Sequence, residues 1–192
     1  MADVHENGYL DEPLFDPEVL EQIDASQFKA KYKSISKPLT PEDNLRIRPL
    51  QLGDFDKGYL DLLQQLTTVG DVTRDQFVDR FQKMKACPDS YYVVVIEDSE
   101  TGQIIGSATL VKEQKFIHGA SSRGRVEDVI VSDLYRGREL GKLLVDVLVC
   151  LSRQLNCYKV SLECKDENLK FYSQFGFEKT QGNNFMQQRF YD

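Results

Sequence analysis

The sequence predicts an α/β protein in which a mixed, twisted β-sheet carries helices on both faces. Three observations lead there. The β-branched run Arg125-Val126-Glu127-Asp128-Val129-Ile130-Val131 passes through a short basic loop into a segment with apolar residues at Leu140, Leu143, Leu144, Val147, Leu148 and Leu151. That spacing is the one-sided stripe of a helix packed on a core. A second alternating run, residues 158–164, follows the helix, and a strand–helix–strand unit of this kind is parallel with a right-handed crossover. Ahead of it, residues 91–97 and 103–114 are strand-like runs separated by a turn sequence ending in Gly102, a hairpin signal.

The elements follow in order. Residues 1–44 hold Pro13, Pro17, Pro38 and Pro41 among many charges and read as a partly flexible, surface-wrapping extension. One short helix is expected from Pro17 to Ile23, with Asp16 as its cap. The extension carries no motif residue, so the chemistry is expected to reside in residues 45–192 and to survive removal of the first 44. Residues 45–48 alternate as a strand that Pro49 ends. Asp54 is positioned to cap a helix whose inner face is Tyr59, Leu62, Leu63 and Leu66. Thr73-Arg74-Asp75-Gln76 is a capping box opening a second helix with Phe77, Phe81 and Met84 inward. Gly106, inside the 103–114 run, marks a bulge or bend. A helix over residues 168–175 ends at Gly176, and residues 184–191 alternate as a last strand. The predicted order is β-α-α-β-β-β-α-β-α-β.

Composition narrows the function. The net charge is −7 with no dominant basic face, which argues against nucleic acid as the main partner. No apolar run approaches the roughly 20 residues that span a bilayer. The acidic start, Met1-Ala2-Asp3-Val4-His5-Glu6, has no signal-peptide core, so the expectation is a cytoplasmic protein, with peripheral attachment to an internal membrane left open. Cys87, Cys150, Cys157 and Cys164 form no CxxC, and with only His5 and His118 beside them no metal site is expected. Cys164 lies near the candidate site, but no histidine is close in sequence to activate it as a nucleophile.

The chemistry concentrates where the central strand meets the central helix. A helix N-terminus offers unpaired N–H groups and a positive dipole end, which suits a phosphate or pyrophosphate. Gly137 and Gly141 alone could be a turn glycine and a packing glycine, and the sequence is neither GxGxxG nor a P-loop, since Leu143 follows Lys142. The pair Glu127-Asp128 raises the odds, because carboxylates in a central strand are costly unless they are used. Strict alternation puts Arg125, Glu127, Val129 and Val131 on one face and Val126, Asp128 and Ile130 on the other.

Arg136-Gly137-Arg138-Glu139-Leu140-Gly141 resembles the pyrophosphate loop of the GNAT N-acetyltransferases, and residues 168–177 resemble that family's second signature, a short helix ending in aromatic-Gly-Phe. Glu139 stands where the family usually has glycine, so its carboxylate must point away from the phosphates. The resemblance implies the GNAT fold and acetyl-CoA as cosubstrate. It implies contacts to acetyl-CoA from Val129, Ile130, Val131, Arg136, Gly137, Arg138, Glu139, Leu140, Gly141, Lys142 and Asn168.

From about Leu45 onward the chain is similar to the eukaryotic glucosamine-6-phosphate N-acetyltransferases, on Leu66-Thr67-Thr68-Val69-Gly70, Lys115-Phe116-Ile117-His118, Arg125-Val126-Glu127-Asp128-Val129 and Asn156-Cys157-Tyr158-Lys159. That likeness implies acetyl transfer to the amine of glucosamine 6-phosphate in UDP-N-acetylglucosamine biosynthesis. It places Thr67, Lys115, Phe116, Ile117, His118, Glu127, Asp128, Val129, Tyr158, Lys159, Glu163 and Arg189 around the sugar phosphate. Catalysis is assigned to Glu127, Asp128, Glu163 and Tyr172, the last as proton donor to the leaving thiolate. The family also implies a homodimer in which the last strand is exchanged, so Arg189 would act in its own or the partner's site. Two alternatives stay open: acetylation of a polyamine or protein N-terminus, and a non-catalytic acyl-CoA-binding protein.

Overall fold

A computed structural model describes residues 10–37, 39–182 and 184–190. Five strands form one sheet in the order β1 (Leu45–Pro49), β2 (Tyr91–Asp98), β3 (Gln103–Gln114), β4 (Ser122–Val131) and β5 (Cys157–Leu162). The first four pair antiparallel, and β4 pairs parallel with β5. Helices among the described residues include α1 (Glu18–Glu21), α2 (Tyr59–Gln64), α3 (Arg74–Lys85), α4 (Leu140–Gln154) and α5 (Leu169–Ser173), and a short kinked helical turn spans Ile117–Ala120.

The two faces of the sheet have separate cores. On one face α4 inserts Leu140, Leu143, Leu144, Val147, Leu148 and Leu151 against Val94, Ile96, Ala108, Leu110 and Val126. These are the stripe positions read from the sequence, and each leucine fully buried contributes roughly 1.5–3 kcal/mol. On the other face α2 and α3 cover Val93, Val95, Ile104 and Ile130 with Tyr59, Leu62, Phe77 and Phe81. The capping box at α3 forms as expected, with the Gln76 N–H donating to Thr73 Oγ1 and the Thr73 N–H to Gln76 Oε1. The bulge expected near Gly106 falls between Ile96 and Glu97 on β2, opposite Gly106 and Ile104.

Asp54 does not cap α2. It lies in a 3-10 turn, Leu52–Phe55, where its wholly buried carboxylate takes a two-pronged contact from Arg48 at 2.8 and 2.7 Å and the Gln51 N–H at 2.8 Å. The guanidinium competes better than a helix end for a buried carboxylate, because it offers charge and matching geometry together. Helix α2 therefore starts only at Tyr59, after Gly58 at φ 74, and it ends before Leu66, which is exposed.

The extension is more tightly seated than a flexible arm. Asp16 Oδ1 caps α1 as expected, and Leu14 and Leu20 are buried, Leu20 in the α4-side core. The expected last strand does not form over residues 184–190, where Phe185, Met186 and Phe190 are largely exposed; Tyr191, its expected end, lies outside the described residues. A strand needs a neighbouring edge for its N–H and C=O groups, and this segment finds none among the described residues.

Candidate active site

The central strand breaks its own alternation. Thr109 pairs with Glu127 and Ser107 with Ile130, so Asp128 and Val129 together stand opposite Ala108. The extra residue is absorbed at Asp128, whose φ of 52° is left-handed. The expected two-face division therefore holds only up to Glu127. Val129 and Val131 join Val126 on the α4 side, while Ile130 turns to the opposite core. In consequence Glu127 and Asp128 both line one cavity of about 810 Å³, walled by Tyr59, Leu63, Phe77, Tyr91, Val93 and Thr109. Partial desolvation of its carboxyl, followed by the Glu127 charge, pushes Asp128 above the usual carboxylate range.

Pairing of β4 with β5 ends at Val126 opposite Leu162. The two strands part there, so the β5 side of Glu127–Val131 has no ladder partner among the described residues. Beside it the face of the sheet away from α4 carries a lane of charge. Arg125 bridges Glu127 at 2.7 Å and Glu163 at 3.1 Å, and lies 3.9 Å from Glu113. Glu113 in turn holds Lys115 at 2.6 Å, which with the nearby Arg123 and Arg125 keeps its carboxyl below the ordinary range. Arg123 donates to Ser161 Oγ at 2.8 Å, and neither Arg123 nor Lys159 has an acidic partner within salt-bridge reach among the described residues. The sequence reading missed Arg123 and Glu113 and assigned Arg125 no role. Their signal lay in the register, since Glu113 pairs with Arg123 and Arg125 with Ser161.

His118 sits in a tight turn at φ 54 and stacks on Tyr158 with ring centroids 4.1 Å apart. Lys159 Nζ lies 5.5 Å from the same Tyr158 ring. Phe116 is wholly exposed and Ile117 is 61% exposed at this end of the lane. Thr67 lies exposed on the loop after α2, off the cavity wall. Arg189 is exposed on the C-terminal segment, and among the described residues it forms no hydrogen bond or ion pair with the lane.

The loop into α4 leaves the helix start uncapped: Gly137 has φ 82 and Glu139 φ 62, and no side chain caps the first N–H groups of α4. Glu139 takes the left-handed backbone that a glycine would supply. Its side chain leaves the helix end and accepts the N–H groups of Lys33 (2.8 Å) and Ser34 (3.1 Å), with Lys142 Nζ at 2.9 Å. Those bonds hold its carboxyl down to about 2. Arg136 pairs with Asp133 at 2.5 Å, and Arg138 pairs with Glu42 and lies over Tyr135. A Cβ at Gly141 would stand 3.9 Å from Phe171 Cζ and from Val131 Cγ2, in ordinary contact with both.

On α5, Tyr172 is half-buried against Phe171 and Phe177, and burial raises its hydroxyl above the usual tyrosine range. It is fully protonated at neutral pH and so able to donate. Asn168 is exposed at the start of α5. The Cys164 thiol is pushed up by burial and by Asp166, which lowers its thiolate fraction and counts against a covalent acyl-cysteine route.

Residues 58–177 match the acetyltransferase (GNAT) family. The chain belongs to it. A probable glucosamine 6-phosphate N-acetyltransferase of Drosophila melanogaster is 48% identical over 172 residues, 89% of this chain and 78% of its own length. The glucosamine 6-phosphate N-acetyltransferase of Arabidopsis thaliana is 37% identical over 134 residues, covering 70% of this chain and 90% of that one. The crystal structure of glucosamine-6-phosphate N-acetyltransferase from Arabidopsis thaliana superimposes with a TM-score of 0.72 at 35% identity, over 76% of this chain and 98% of its own. The five-stranded mixed sheet is thus the GNAT fold, and the matched span runs from the start of α2 to Phe177. Both the bulged carboxylates and the α4 loop fall inside it, whereas the extension and the C-terminal segment fall outside.

Proposed function

We propose that the protein transfers the acetyl group of acetyl-CoA to the 2-amino group of D-glucosamine 6-phosphate, giving N-acetyl-D-glucosamine 6-phosphate and CoA. The observation that carries this reading is the β4 bulge, which turns Glu127 and Asp128 into one cavity at the point where β4 and β5 part. A carboxylate pair there faces a donor site on one side and a lane of cations on the other. The relatives named above as glucosamine 6-phosphate N-acetyltransferases support the choice of substrate.

Acetyl-CoA supplies the activated acyl group. Its pyrophosphate fits the uncapped α4 N-terminus and the left-handed loop of Arg136 to Lys142, and Gly141 leaves room for close approach. Its acyl arm fits the cleft between Val129–Val131 and α5, with Asn168 at the rim. N–H groups of the splayed β4, around Val129, polarise the acyl carbonyl; one such donor is worth about 2.7–4 kcal/mol. Asp128, its pKa raised by burial and the Glu127 charge, accepts a proton from the substrate ammonium, directly or through water, so that the neutral amine attacks. Glu127, Arg125 and Glu163 hold the sugar in place around it. As the C–N bond forms and the C–S bond breaks, the Tyr172 hydroxyl gives its proton to the departing sulfur. Both substrates are bound together, and no acyl-enzyme forms.

Lys115, His118, Tyr158 and Lys159 take the sugar phosphate, with Phe116 and Ile117 as backbone supports of that turn. Thr67 and Arg189 complete the acceptor side, Arg189 from its own chain or from the exposed C-terminal segment of a second copy. The unpaired, apolar 184–190 segment supports a homodimer with exchanged C-terminal strands. Residues 45–192 form the catalytic domain of a cytoplasmic enzyme feeding UDP-N-acetylglucosamine synthesis; no helix among the described residues is long and apolar enough to cross a membrane. A polyamine acceptor fits less well, because this lane presents Arg123 and Lys159 without acidic partners. The deciding experiment compares acetyl-CoA consumption on glucosamine 6-phosphate, glucosamine and spermidine. A large preference for the phosphorylated sugar is expected; equal kcat/KM with and without the phosphate overturns the reading.

A further inference from the structure

We propose that residues 29–34 are a strap that holds the acetyl-CoA half of the site in shape, with Asp146 and Glu139 as the positioning residues that fasten it. The inference rests on the acetyl-CoA assignment above and concerns how that site is kept competent.

Asp146 lies in the middle of α4, wholly buried, with no cationic side chain bonded to it among the described residues. Its oxygens instead accept the N–H groups of Lys29 (2.9 Å) and Ala30 (3.0 Å) and the hydroxyl of Tyr32 (2.8 Å). An isolated buried carboxylate is expensive, so these three donors are what makes it tolerable. Two turns earlier, Glu139 accepts the N–H groups of Lys33 and Ser34 and the Ser34 hydroxyl, and Lys142 Nζ reaches the Lys31 carbonyl. Six consecutive residues are thereby laid along the start of α4.

Both ends of the strap touch proposed machinery. At Glu139 it fixes the left-handed residue that presents the α4 N-terminus. At Ala30 and Tyr32 it packs into the cluster of Val145, Val149, Phe171, Tyr172 and Phe175, which sets the position of α5. Seating the strap therefore orders the pyrophosphate loop and the Tyr172 helix together. By reciprocity, a ligand that requires that order must in turn hold the strap down.

The test uses the full-length protein with CoA alone, so the sugar assignment is not involved. Hydrogen exchange of the wild type should slow at the Lys29, Ala30, Lys33 and Ser34 amides when CoA binds. Calorimetry of Asp146→Asn, Tyr32→Phe and Glu139→Gln should show CoA affinity weakened about five-fold or more, with steady-state KM for acetyl-CoA rising further than kcat falls. Strap amides that exchange at one rate with and without CoA overturn the proposal, and this result needs no variant. Unchanged CoA affinity in folded variants overturns it as well. A wild-type chain that binds no CoA overturns both this inference and the acetyl-CoA assignment beneath it.

Discussion

The donor half of the site and the acceptor half are built in different ways. The donor half is one continuous passage, strand β4 to loop to α4, backed by fully buried leucines and strapped by the extension. The proposed acceptor half is scattered over β3, β4, β5 and the turn at His118 and lies on a charged face, with Thr67 off the cavity wall and Arg189 on the exposed C-terminal segment. A pyrophosphate and a long arm can be held by backbone and a helix end, which a single rigid element supplies. Recognition of a small polar sugar needs several side chains converging from different strands, and we propose that a second copy of the chain completes that convergence.

The two halves meet at Asp128, and its removal should have the largest effect. Asp128→Asn keeps the left-handed backbone that Asn tolerates, so the bulge should persist. Loss of the proton acceptor should lower kcat by about 100-fold or more, the usual range for general-base catalysis. Wild-type activity should rise with pH through the raised Asp128 pKa. Stability carries the opposite sign. The folded state binds this proton more tightly than the unfolded state, so stability falls as pH rises from the unfolded pKa through the folded one. Asp128→Asn should therefore raise the melting temperature at neutral pH. A variant with wild-type kcat, where chemistry limits, would move the base to Glu127 or Glu163.

That bulge also marks how far the sequence could be read. The α4 stripe and the α3 capping box were legible because each is a local pattern with one physical meaning. The facing of Asp128 was not, because alternation assumes an unbroken ladder and a single left-handed residue resets it. Asp54 misled because its partner, Arg48, is chosen by the fold. Arg123 and Glu113 escaped notice because cross-strand register made them a group. The seating of residues 29–34 on Asp146 spans more than a hundred positions, which no local rule reports.

The acceptor half should be repaired by a second chain. Arg189→Ala should cut kcat/KM for the phosphorylated sugar by about 10- to 100-fold, the worth of one charge-assisted contact, and leave free glucosamine nearly unaffected. Mixed dimers of Arg189→Ala with Asp128→Asn should then recover part of the lost activity, because one of their two sites is whole. No recovery on mixing, with heterodimer formation verified, would confine each site to a single chain.

Tyr172 tests the seam between α5 and the donor cleft. Tyr172→Phe keeps the ring among Phe171 and Phe177 and deletes only the hydroxyl. A hydrogen bond to a developing thiolate is worth about 1.5 kcal/mol, so kcat should fall by about tenfold with little change in the KM for acetyl-CoA. An equal rise in KM and no fall in kcat would make the residue a packing element of the cluster that also holds Ala30 and Tyr32.

The smallest expected change separates two meanings of Gly141. If this glycine were there for helix packing, a methyl group would collide with its neighbours. The nearest atoms, Phe171 Cζ and Val131 Cγ2, would instead be 3.9 Å from it, which is ordinary contact. A methyl group would therefore fit within the chain itself, and we propose that the pyrophosphate of CoA is the group that uses this position. Gly141→Ala should stabilise the free protein by up to about 1 kcal/mol through helix propensity, a gain of about 2–4 °C in melting temperature for a chain of this length. The same substitution should weaken CoA binding several-fold, as the methyl group occupies the approach path. A more stable variant with unchanged CoA affinity would shift the pyrophosphate away from Gly141 and toward the Gly137 side of the loop.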